Sequence, residues 1–171
     1  VETIIRLCPA CQAVQDTRMP LEPLRMSSMP PGPWQHVSMD FCGPLPTGDY
    51  LMVLIDEFSR YPVVEIVKSV SASVVIPVLD KVLSVFGFPT VLKSDNGSPF
   101  NSGAFALYAK HSGFAHQRIT HLWPRANSQA EAFNKPLMKA VRAACLEQQN
   151  WKQRKFVFPR QYRATPHTST S

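Results

Sequence analysis

Tyr50-Leu51-Met52-Val53-Leu54-Ile55 is six apolar residues in unbroken succession. A half-solvated strand alternates apolar with polar, so an unbroken run reads as a central strand buried on both faces of a sheet. Upstream, His36 to Phe41 is a β-like run stopped by Cys42-Gly43-Pro44. Downstream, Val63-Val64-Glu65-Ile66-Val67 is rich in β-branched residues, and only the turn-like Asp56 to Pro62 separates it from the central run. Short connections among three strands predict an antiparallel meander. Beyond it the period changes. Val75, Leu79, Val82 and Phe86 share one helical face, with Ser71 or Ser73 as cap and Gly87 near the end. Pro77 fits that helix only near its first turn. A strand over 90–93, a turn at Asp95-Asn96-Gly97-Ser98-Pro99, a helix over 102–111 and a strand over 114–119 follow. A long helix over 127–147 and a last one over 151–162, broken at Pro159, complete the pattern. The order β-β-β-α-β-α-β-α predicts an α/β fold, a mixed five-stranded sheet with its three antiparallel strands first, flanked by helices.

The chain has 171 residues, 44% of them hydrophobic and 18% charged, enough to bury a core. The longest apolar run, of six residues, is far below the ~18–20 needed to span a bilayer, so no membrane association is expected. Val1 to Leu7 carries Glu2 and Arg6, unlike the apolar core of a signal peptide. Four cysteines at irregular spacing predict reduced thiols in an intracellular protein, not a disulfide framework. Residues 19–33, with five prolines, read as a linker between a short segment, 1–18, and a compact domain, 34–171. Charge is divided unevenly. Val1 to Gln117 holds 8 Lys and Arg against 10 Asp and Glu, whereas Arg118 to Ser171 holds 10 against 2. A cation-rich last third is either a solvated face or a surface for a polyanion, chiefly nucleic acid.

Three acids stand where elements end. Asp40 lies among apolar neighbours in the first strand, where an unpaired charge is costly. Asp95 follows Val91-Leu92-Lys93-Ser94, at the carboxyl end of a strand, where α/β sheets commonly hold ligands. Glu131 is one of only two acids in the basic last third, in the first turns of the long helix. Each has a plain structural alternative: a salt bridge for Asp40, a turn for Asp95, a dipole-favoured helix start for Glu131. Along the long helix Glu131, Lys135, Lys139 and Arg142 fall on one face, either a solvated stripe or a row of phosphate contacts.

Thirty-five residues lie between Asp95 and Glu131. The segments Asp40-Phe41-Cys42-Gly43-Pro44-Leu45, Ser94-Asp95-Asn96-Gly97 and Ala126-Asn127-Ser128-Gln129-Ala130-Glu131-Ala132-Phe133-Asn134 resemble the three signature blocks of retroviral-type integrases. The likeness is closer to the integrases of gypsy/Ty3-class LTR retrotransposons. It extends through Ile55 to Pro62, Leu122-Trp123-Pro124 and Tyr162 to His167. The resemblance implies a ribonuclease-H-like fold carrying a D,D-35-E triad of Asp40, Asp95 and Glu131. Those carboxylates would bind two Mg²⁺ (or Mn²⁺) ions, Asp40 bridging both, Asp95 on one and Glu131 on the other. Hard oxygen ligands suit Mg²⁺, and a metal pair suits an in-line displacement at phosphorus.

The implied activity is DNA integration, meaning 3′-end processing and strand transfer, on element ends and target DNA, in the nucleus and as a homo-oligomer. Lys135, Lys139 and Arg142, with Asn127 and Gln129 at the entry to the long helix, are the candidate DNA contacts. Cys8-Pro9-Ala10-Cys11 is half of a tetrahedral zinc site. In the family this pair closes a His-His-Cys-Cys module, so residues 1–18 read as the end of a truncated zinc module whose Zn²⁺ depends on an upstream His pair. Residues 34–171 read as a catalytic core truncated at its carboxyl end. Ser128 stands where the family usually has Gly, Ala132 where a basic residue is common, and His121 where Pro is usual. Two other readings stay open: a ribonuclease-H-like nuclease without strand transfer, and a domesticated, non-catalytic nucleic-acid-binding relative.

Overall fold

The structure is a computed structural model that describes residues 30–119 and 128–165. Cys8, Cys11, most of the Pro-rich stretch, the Leu122-Trp123-Pro124 segment and Asn127 lie outside the described residues, as do the side chains of Gln129 and Glu131.

Five strands form one sheet: β1 (His36–Cys42), β2 (Tyr50–Asp56), β3 (Pro62–Val67), β4 (Val91–Ser94) and β5 (Ala115–Arg118). Their order is β3-β2-β1-β4-β5. β1 to β3 are the expected antiparallel meander, whereas β4 runs parallel to β1 and β5 parallel to β4. Four helices flank the sheet: α1 (Ala72–Phe86), α2 (Gly103–Ser112), α3 (Ser128–Leu146) and α4 (Trp151–Ala164). Among the described residues no helix is long and apolar enough to cross a membrane.

The unbroken apolar run of β2 has the predicted cause. Met52 and Leu54 join Val37, Met39 and Leu92 in a core closed by Val75, Leu79, Val82 and Leu83 of α1 and Phe105 of α2. Leu51, Val53 and Ile55 point the other way, into a core with Ala130, Phe133, Leu137, Val141 and Ala144 of α3 and Trp151 of α4. The α3 residues recur at helical spacing, so that helix lies against the sheet along one stripe, packs beside it on α4 through Phe133, and presents Lys135, Lys139 and Arg142 on an exposed face. Asp56 organises the β2–β3 turn: its Oδ1 accepts from the Trp34 amide at 3.0 Å and its Oδ2 from the Ser59 amide at 3.0 Å. Ser102 caps α2, accepting from the Phe105 amide at 3.2 Å.

Three local expectations need correction. Phe86 is 39% exposed and stacks on Trp34, ring centroids 4.6 Å apart, so Leu83 and not Phe86 closes the buried stripe of α1. Pro77 sits in the second turn of α1; it and Ser73, whose carbonyl loses its i+4 donor to the proline, are both exposed, so the lost bond lies on the solvent side of the helix. Pro159 does not break α4, which continues to Ala164. It is buried, and the packing of Phe158 and Tyr162 on Phe133 (centroids 5.5 and 4.8 Å) holds the helix together where the proline removes a hydrogen bond.

Candidate active site

The parallel pairing of β1 with β4 decides where the first two acids meet. Val37 lies opposite Leu92 and Ser38 opposite Lys93. Two residues further along both strands stand Asp40, still inside β1, and Asp95, directly after β4. The chain therefore delivers two carboxylates to the same end of two adjacent strands from positions 55 residues apart.

Both are partly buried and held locally. Asp40 Oδ1 accepts from the Phe41 amide at 2.8 Å, and its Oδ2 accepts from Asn134 Nδ2 of α3 at 2.8 Å. Asp95 Oδ1 accepts from the Gly97 amide at 3.1 Å, an Asx turn, so the structural alternative for Asp95 holds alongside its placement. Gly97 matters to that carboxylate: a Cβ there would stand 3.1 Å from Oδ2 and 3.3 Å from Oδ1.

Asp40 opens into a groove of about 910 Å³ between the end of β1 (residues 40–44) and α3. Lys135, Lys139 and Arg142 line its α3 side, all exposed, with Met138 and Leu146 among them. The structure thus brings Asp40 together with the three predicted cations. Glu131 lies on the same helix one turn before Lys135. Cys42, in the groove wall, has its thiol pushed up to about 12, by burial first and by the Asp40 charge second, so it remains a protonated apolar wall.

Several polar groups around the two acids escaped sequence reasoning. Asn134 is 8% exposed; its Nδ2 serves Asp40, but its Oδ1 is buried in the groove wall with no hydrogen-bond partner among the described residues. Its signal was a polar residue set directly beside the apolar stripe of α3. One step down the strands, Ser38 Oγ donates to Glu57 Oε1 at 2.6 Å and Lys93 Nζ pairs with Glu57 Oε2 at 2.8 Å. Ser38, Glu57 and Lys93 form an enclosed polar network that satisfies its own members. Carboxylates and a buried amide oxygen are the hard donors that Mg²⁺ accepts, and Mg²⁺ needs only one or two carboxylates beside water and substrate. Among the described residues no group of three His, Cys, Asp or Glu side chains stands together as a metal site, the Glu131 carboxylate not being among them.

Residues 30–122 match the family model of the integrase core domain. The chain belongs to the integrase core domain family. A protein of Caenorhabditis elegans, itself uncharacterised, is 33% identical over 170 residues, 99% of this chain and 13% of its own length. The Pro-Pol polyprotein of simian foamy virus type 3 is 25% identical over 144 residues, 82% of this chain and 12% of its own. The transposon Tf2-3 polyprotein of Schizosaccharomyces pombe is 26% identical over 177 residues, 99% and 13%. The chain thus spans only 12–13% of these curated relatives. Among solved structures, the HTLV-2 integrase catalytic core domain in complex with magnesium, in a trimeric form, superposes with a TM-score of 0.59 at 18% identity, covering 72% of this chain and 80% of that one. The mixed five-stranded sheet and its flanking helices are the ribonuclease-H-like fold of an integrase catalytic core. Within this integrase core, the end of the sheet that carries Asp40 and Asp95 is the one that opens on the basic groove.

Proposed function

We propose that this integrase core is a metal-dependent polynucleotidyl transferase that trims the 3′ ends of element DNA and joins them to target DNA. One observation carries the reading: Asp40, level with Asp95 on parallel strands, opens into a groove whose facing helix bears Lys135, Lys139 and Arg142. Asp40, Asp95 and Glu131 hold Mg²⁺ or Mn²⁺, which when bound supplies charge stabilisation to the attacking and leaving oxygens at phosphorus. Asn134 fixes the rotamer of Asp40 through its Nδ2, and its buried Oδ1, unpartnered among the described residues, is a spare acceptor beside that carboxylate. Lys135, Lys139 and Arg142 neutralise the DNA backbone without reading its sequence, and Asn127 and Gln129 add contacts at the entry to α3. The active unit is a homo-oligomer working in the nucleus, and Cys8 with Cys11 completes a zinc site once a His pair joins them.

The deciding test is strand transfer on oligonucleotides with recessed 3′ ends, in Mg²⁺ or Mn²⁺. Wild type should cleave and join, and Asp40→Asn, Asp95→Asn or Glu131→Gln should each abolish both while leaving the fold intact. Cleavage without joining would replace this reading by that of a simple nuclease. DNA binding with no chemistry in wild type would replace it by that of a non-catalytic module.

A further inference from the structure

Asp95 is the less obviously supported of the two acids, because among the described residues its side chain meets only the turn it begins. The geometry points to Ser94 and His116 as positioning residues that hold the Asp95 peptide, and with it the carboxylate, in its working orientation. The inference rests on reading Asp95 as a metal ligand.

Ser94 ends β4 and is fully buried. Its Oγ lies 2.9 Å from the Asp95 carbonyl oxygen and 2.8 Å from His116 Nε2 of β5. A hydroxyl has one proton, and a carbonyl can only accept. Both contacts are satisfied together in one way, with Ser94 donating to the Asp95 carbonyl and accepting from a protonated Nε2. The imidazole is held in turn. It packs edge-on against Phe105 of α2, centroids 4.9 Å apart, and lies 5.8 Å from Phe100. The backbone of Ser94 is tied from the same neighbour, the Ile119 amide donating to its carbonyl at 2.7 Å. A continuous path therefore runs from the α2 core through His116 and Ser94 to the peptide that follows the Asp95 Cα.

Packing alone does not call for this pair. Replacing both partners of a buried hydrogen bond by apolar groups of similar shape is close to neutral for stability. What an apolar pair cannot do is fix the tilt of the Asp95 carbonyl. If that peptide turns, the Asx turn to Gly97 and the carboxylate turn with it. Groups that orient metal ligands typically contribute about 10–100-fold in metal affinity.

The test is Mn²⁺ binding by the 171-residue chain, read from the paramagnetic resonance of free Mn²⁺, with thermal unfolding as the measure of fold. Ser94→Ala should weaken Mn²⁺ binding by about tenfold. Ser94→Thr, which keeps the hydroxyl, should restore it. The double variant Ser94→Ala with His116→Phe should unfold near the wild-type midpoint yet bind Mn²⁺ as poorly as Ser94→Ala, and it carries the test by the same criterion if the single variant does not fold. Asp95→Asn is the reference. If Asp95→Asn loses Mn²⁺ while both Ser94→Ala variants bind like wild type, the positioning role is overturned and Asp95 stands as ligand. If Asp95→Asn binds like wild type, the reading of Asp95 itself has failed and the positioning role goes with it.

Discussion

Asn134 shows how one residue can connect two elements and a reaction centre. Its amide NH₂ holds Asp40 Oδ2 at 2.8 Å, and its Oδ1 is buried and unpartnered among the described residues. A native structure rarely leaves a buried acceptor unpaired without a use. Replacing Asn134 by Ala should free the Asp40 rotamer and lower metal affinity by about tenfold, within the range seen for groups that orient ligands. Asn134→Asp should instead raise metal affinity and destabilise the metal-free fold, because a second carboxylate beside Asp40 repels it until a cation relieves the repulsion. Mn²⁺ titration of both variants checks this, and equal affinity in wild type and Asn134→Ala would remove Asn134 from the site.

At the scale of the element, α3 serves two surfaces at once. Ala130, Phe133, Leu137, Val141 and Ala144 attach it to the sheet, while Lys135, Lys139 and Arg142 line the groove a quarter-turn or more away. Changing those three cations to Ala should weaken DNA binding alike across unrelated sequences. It should also flatten the salt dependence by a slope of up to ~0.9 for each phosphate of duplex DNA that is no longer neutralised. Ala favours helix at least as well as Lys or Arg, so loss of α3 offers no rival explanation. A triple change at Lys68, Lys81 and Lys110 removes the same charge outside the groove, with thermal unfolding confirming that it stays folded without the Lys68–Asp49 and Lys81–Glu65 pairs. Equal weakening by the two triples would mean that net charge alone, and not this face, draws the DNA.

For the whole molecule, Glu65 of β3 ties the two helical layers to the sheet. Its Oε1 takes Lys81 of α1 at 3.1 Å and its Oε2 takes Lys155 of α4 at 3.0 Å. Burial pushes this carboxyl up, but the hydrogen bonds and charges of Lys155 and Lys81 outweigh it and hold it below the ordinary value of 4.5. A carboxyl lowered in the folded state adds stability that is present above its unfolded value and disappears as pH falls through the folded one. Glu65→Gln should therefore cost roughly 1–2 kcal/mol near neutral pH, between a solvated ion pair and an enclosed charged hydrogen bond. Below pH 4.5 the gap from wild type should close. Urea midpoints measured across that range check both the size and the sign.

Local rules acting on the sequence determined the elements and much of their order. Six apolar residues in a row needed two covered faces, and the helical stripe of α3 needed a sheet to lie on. The spacing of Asp40, Asp95 and Glu131 marked the family, which is a matter of pattern. What the tertiary structure decided depends on contacts between distant residues, which no local period encodes. The parallel register of β1 with β4 sets Asp40 beside Asp95, and Asn134 reaches Asp40 across 94 positions of chain. Pro159 reads locally as a break, yet α4 passes through it because its buried face is held on Phe133. Phe86 reads as core by its period, yet it lies partly exposed on Trp34, because only the fold determines where the sheet beneath α1 ends. Local propensity is worth fractions of a kcal/mol per residue, whereas burying one large side chain is worth about 1.5–3 kcal/mol, so packing overrides propensity wherever the two disagree.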